Sequence, residues 1–178
     1  MFRNLLTSRI WLVIVLAVLP LLSSCASSDT GIKVEPSPGT IVKIEPPVSQ
    51  VSINDTIKVL VNVENIVNLI GVEIHLSFDT TVLEVVELNG GGFIKADFVV
   101  QNTFDNAAGT IDYAVAQINS APANGNGMLL EIVFRAKASG DSPIRFLGTQ
   151  AAPAGALFSD SSGMAIQATL IDGKVNVK

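Results

Sequence analysis

Two side chains with proton-transfer or nucleophilic chemistry occur once each in this chain of 178 residues: the histidine His75 and the cysteine Cys25. An imidazole moves protons near neutral pH, and a thiol attacks or carries a covalent group. Neither finds a catalytic partner in the sequence. A nucleophilic triad needs a base beside its nucleophile, whereas Cys25 closes an apolar leader and His75 sits on the polar side of an alternating stretch. Two carboxylates about 5 to 10 Å apart run glycoside hydrolysis, and the 16 Asp and Glu offer many pairs. No spacing marks one pair as pocketed. Oxygen ligands for a cation occur at Asp105-Asn106 with Asp112 and at Ser159-Asp160-Ser161, without the dense Asp/Asn alternation of a calcium loop. The sequence thus predicts no catalytic residue, no metal and no cofactor, and points to polar side chains that act by contact.

Composition narrows the class further. Hydrophobic residues make up 48% of the chain and charged ones 15%, which suits one domain with a substantial core. Val, Ile, Leu and Ala outnumber the aromatics, and β-branched side chains favour pleated surfaces over helices. The net charge is -5, with no cluster of Lys and Arg to neutralise phosphates, so nucleic acid is excluded as a partner.

The lone cysteine has a distinctive setting. Arg3 and Arg9 precede an apolar run from Ile10 to Leu22, the order of a secretory signal, and the run is too short for a bilayer-spanning helix. Leu22-Ser23-Ser24-Cys25 then resembles the bacterial lipobox. That resemblance implies a signal peptide over 1–24, diacylation of Cys25, and an extracytoplasmic protein lipid-anchored to a bacterial membrane at the cell surface. The alternative is an ordinary secretory signal cut near Ala26.

The elements that position the contact residues follow from period-two patterns. Residues 25–39 read as the lipidated cysteine and a flexible Ser, Gly and Pro spacer, and 40–178 as one domain. Thr40 to Glu45 and Val48 to Ile53 open it. Ile57 to Val63 and Gly71 to Phe78 are predicted as two strands with a break at Asn65 to Asn68. The second places Val72, Ile74, Leu76 and Phe78 on a dry face and Glu73, His75 and Ser77 on a wet one. Val82 to Leu88, Phe98 to Phe104, Thr110 to Gln117, Met128 to Lys137 and Ser142 to Leu147 continue the series. Gly148 to Gly163 reads as a looser section, and Met164 to Leu170 and Lys174 to Val177 close the chain around Asp172-Gly173, a hairpin signal. Short strands with turns every eight to twelve residues predict an all-β, two-sheet sandwich of about nine strands.

The order of these pieces resembles the cohesin domain, over nearly everything from Thr40 to Val177. The resemblance rests on Gly71, Leu76-Ser77-Phe78-Asp79, Val82-Leu83-Glu84-Val85, Gly109-Thr110-Ile111, Leu130, Ile132 and Phe134, Gly140 and Ile144, and Asp172-Gly173-Lys174-Val175. It implies jelly-roll topology and a sheet face that docks dockerin modules, with calcium on the partner's side. That face would be built from Gly71 to Phe78, Phe98 to Phe104, Thr110 to Gln117 and Ser142 to Leu147. The contact residues are then Glu73, His75, Ser77, Asp112, Ala114 and Ala116, with Gln101 and Thr103 beside them and Asp79 at the margin. Asp79 also has a local role available, accepting backbone N–H bonds to close its turn. Polysaccharide is the rival partner, since related sandwiches bind cellulose, but the only tryptophan, Trp11, lies in the leader and Tyr113 is the only tyrosine. A structural role at the cell surface is the third reading.

Overall fold

The computed structural model describes residues 39–178; the leader, Cys25 and nearly all of the spacer lie outside them. The described residues form strands joined by turns, twelve in all. The expected count was about nine, and the excess comes from short segments near the C-terminal end. The chain opens with β1 (Thr40–Glu45) and β2 (Val48–Val51), separated by Pro46-Pro47, where no ladder amide is available.

The longest element is β3 (Thr56–Ser77), 22 residues. It unites the two predicted strands, and the predicted break is a pair of bulges inside it. Asn65 and Asn68 take φ values of 56° and 64°, in the left-handed region that asparagine tolerates better than most residues. Their amides donate to Asn126 Oδ1 at 2.7 Å and Asn124 Oδ1 at 2.9 Å, so the displaced backbone stays paired. Buried residues advance by twos before the bend (Val59, Val61, Val63), by threes through it (Ile66, Leu69, Val72) and by twos after it (Ile74, Leu76). The bulges keep the apolar face inward while the strand passes from one layer to the other.

In the first layer, the N-terminal half of β3 lies between β1 and β7 (Ala123–Ala136), and β4 (Leu83–Gly90) flanks β7. The central place expected for Met128 to Lys137 is therefore observed. In the second layer, the C-terminal half of β3 lies between β6 (Thr110–Ala116) and β9 (Ala156–Asp160), with β5 (Phe98–Asp105) outside β6 and β10 (Ala165–Ile166) outside β9. Between the layers sit Val61, Ile74, Leu76, Ile111, Leu130, Ile132, Phe134 and Phe158. Phe78 and Phe134 meet edge to face, 5.4 Å between centroids. The architecture is the expected all-β sandwich.

Three local expectations are corrected. Asp172-Gly173 is a corner and not a hairpin: β11 (Ala168–Ile171) runs parallel to β1, and β12 (Gly173–Val177) runs parallel to β2, so the C-terminal segment follows the broken first strand instead of folding back. The section from Gly148 to Gly163 contains β9, whose Ala156 and Phe158 alternate with the outward Leu157 and Ser159. Ser142 to Leu147, as β8 (Gly140–Phe146), pairs chiefly with β12 and reaches β3 only at Leu76 and Ser77. β9 runs along β3 on the side away from β6, and Ser142 to Leu147 joins the sheet of the face only at the end of β3.

Candidate functional site

The outer face of the β9–β3–β6–β5 sheet carries the predicted contact residues in register. Glu73 pairs with Ala114, His75 with Asp112, Ser77 with Thr110, and Gly71 with Ala116. One strand further out, Gln101 faces Ala114 and Thr103 faces Asp112. Since paired residues share a face, Glu73, His75, Ser77, Asp112, Ala114, Ala116, Gln101 and Thr103 belong to one surface. A slip of one residue would have exchanged them all for the core set. The buried Val72, Ile74 and Leu76 fix the register on the opposite side.

His75 departs from the expectation of a wet face. Only 6% of the residue is exposed. Its Nδ1 lies 2.5 Å from Asp112 Oδ1, and its Nε2 lies 2.8 Å from Glu73 Oε1. Its backbone is held as well: the amide donates to Gly155 O at 2.8 Å, and the carbonyl accepts from Leu147 N at 2.9 Å. Gly155, at φ 93°, allows that approach, for a Cβ there would stand 2.7 Å from the backbone of Phe146 and Leu147. Burial by itself pulls the His75 pKa down, but the hydrogen bonds to Glu73 and Asp112 and the two negative charges outweigh it, and the net shift is upward from 6.5. The trio has no free ring nitrogen to activate a nucleophile, and its carboxylates approach opposite edges of the ring, sharing no point where a cation would sit.

Beside the trio the surface becomes apolar and shallowly concave. Gly71, Ala114 and Ala116 form the floor, with Glu73, Ser159, Val100 and Leu157 around it, enclosing about 190 Å³. A Cβ on Gly71 would meet Ser159 Oγ at 2.2 Å, so the absence of a side chain there lets the Ser159 hydroxyl lie over the floor. Val100 is 62% exposed and Leu157 38%, and Phe98, opposite Ala116, is 56% exposed. Val100, Leu157, Phe98 and Ser159 were missed in the sequence. The alternation of Ala156-Leu157-Phe158-Ser159 was a usable signal for two of them. Val100 gave none, because the register shifts between Val99 and Gln101.

Ser77 and Asp79 lie past the trio, lining a second depression with Pro143 and Arg145. Asp79 closes its turn as expected: its Oδ1 accepts from Thr81 N at 2.8 Å and from Thr81 Oγ1 at 2.6 Å. These bonds hold its carboxyl below the usual range. Cys25 lies outside the described residues. The face is therefore graded, with an apolar trough at one end, a charged trio in the middle and a polar corner at the other.

Comparison with known proteins gives this face a context. The chain is 28% identical over 144 residues to cell surface glycoprotein 1 of Acetivibrio thermocellus, a match covering 68% of this chain and 6% of that protein. A type II cohesin domain from the cellulosome of Acetivibrio cellulolyticus superposes with a TM-score of 0.67 at 20% identity, over 78% of this chain and 96% of that one. The type I cohesin–dockerin complex from Clostridium thermocellum gives 0.66 at 16% identity, over 79% and 100%. A non-cellulosomal cohesin from the archaeon Archaeoglobus fulgidus gives 0.62 at 18% identity, over 79% and 92%. These likenesses share the sandwich, and the family model described as the cohesin domain matches residues 33–177, so the chain belongs to the cohesin family.

Proposed function

We propose that this chain is a tethered cohesin that docks a dockerin module on the β9–β3–β6–β5 face, with calcium held by the partner. The observation that carries the reading is the graded face itself: an apolar trough of small residues, rimmed by Leu157 and Val100 and bordered by charged side chains, on an otherwise ordinary sandwich. Such a surface buries apolar area at its centre and leaves hydrogen-bonding groups at its rim, the arrangement of protein–protein interfaces. Glu73, Ser77, Asp112, Ala114 and Ala116 are its contact set, with Asp79 its margin, and the buried His75 lies between Glu73 and Asp112 beneath the partner. Several acyl chains on Cys25 would hold the domain at a membrane surface, at about 0.8 kcal/mol per buried CH₂. Dockerin-bearing enzymes of polysaccharide breakdown are the partners this tether would collect.

Polysaccharide binding has less support. Stacking on sugar rings needs coplanar aromatics, and the exposed Phe98 and Phe104 are opposite Ala116 and Ile111, which lie on different faces of β6. The test is a titration of the protein with calcium-loaded dockerin modules from the same genome. Binding is expected, and Leu157→Asp should weaken it about tenfold or more while leaving stability within about 0.5 kcal/mol. Retention on insoluble cellulose with no dockerin bound would replace this reading with the polysaccharide one.

A further inference from the structure

His75 is too enclosed to offer a partner much surface, yet it occupies the centre of the face. Both ring nitrogens stand at hydrogen-bond distance from carboxylate oxygens, 2.5 Å to Asp112 and 2.8 Å to Glu73. A carboxylate only accepts, so each nitrogen must donate, and both do so only in the imidazolium form. A neutral ring would turn a lone pair toward one of the carboxylates at that distance. Glu73 and Asp112 keep 27% and 35% of their side chains exposed, so each retains surface for a partner.

We propose that His75 is a positioning residue whose charge ties Glu73 to Asp112 across β3 and β6, and that loss of its proton releases one carboxylate and weakens docking. This rests on the docking reading above. The groups that face the ring support it. On β3 the neighbour is Glu73, and on β6 it is Asp112; from β5 come the neutral Gln101 and Thr103. The segment between β8 and β9 contributes the backbone of Leu147 and Gly155, which bonds that of His75. Arg145 on β8 lies opposite Ser77, two residues along β3, and is a cation on the same sheet. Two carboxylates against one imidazolium leave the trio with one net negative charge. Deprotonation doubles that charge, and the carboxylate facing the bare nitrogen must swing away from its place on the face. The change is local, because the buried Ile74 and Leu76 hold the strand on its other side.

Two measurements test the proposal. In nitrogen-15 spectra of the free protein, both His75 ring nitrogens should stay protonated at pH values above the ordinary histidine midpoint of about 6.5. Titration of the protein with a calcium-loaded dockerin module should show affinity falling about threefold to tenfold between about pH 6 and pH 9, with the midpoint seen for the ring. His75→Gln should bind at the weaker, alkaline level throughout and show no such step, which separates the ring from any titration of the dockerin. A neutral tautomer at about pH 7, or an affinity that is flat or rises with pH, overturns the proposal. Should no dockerin bind at any pH, the docking reading fails and the binding consequence with it, while the ring titration still decides whether the proton ties the two carboxylates.

Discussion

Two carboxylates on one buried ring make His75 a group that folding renders more basic. Its folded pKa lies above the unfolded value of about 6.5, so its contribution to stability is fully present below that value and is lost as pH rises through the folded pKa. The denaturation midpoint should therefore fall as pH is raised from about 6.5, and His75→Gln should remove that slope. Asp79 runs the other way. Its carboxyl is depressed by the Thr81 hydroxyl and amide, so its contribution exists above the ordinary carboxylate range and disappears on acidification. Of the two, only Asp79's local role was readable in advance, since an aspartate two residues before its donor forms a turn by itself. His75 needed a partner from β6, and no spacing along β3 announces one.

At the scale of elements, β3 decides the architecture, because it belongs to both layers. The two asparagines at positive φ turn it without ending it. Asn65→Val should cost about 1 kcal/mol or more, since a β-branched residue resists the left-handed conformation, while Asn65→Gly should cost little. Urea denaturation of the two variants side by side distinguishes a conformational cause from loss of the side chain, which both remove. Leu76, fully buried beneath the trio, holds the face in register. Leu76→Ala should destabilise by about 2 to 5 kcal/mol, measured by the same denaturation. The predicted break at Asn65 to Asn68 marked the right residues, but sequence could not separate a bulge from a loop: that depends on whether neighbouring strands keep pairing through it.

For the whole molecule, the proposal joins the graded face of the sandwich to the lipid anchor that the lipobox-like leader implies. Cys25→Ser should abolish incorporation of labelled palmitate and move the protein out of the membrane fraction, while a calcium-loaded dockerin binds as before. Label that persists in this variant would remove the lipid anchor and leave the ordinary secretory signal.

The sequence by itself determined the fold class and the side of the sheet on which Glu73, His75, Ser77, Asp112, Ala114 and Ala116 lie. Those follow from alternation, which is local: each strand must bury every second residue, and the apolar set declares which. The tertiary structure decided which strands are neighbours. It brought β9 against β3 from a section that read as loose, added Leu157, Ser159 and Val100 to the trough, and set Asp112 against His75. Pairing between strands distant in sequence depends on loop paths, bulges and the fit of the core, and none of these has a period that a single strand displays.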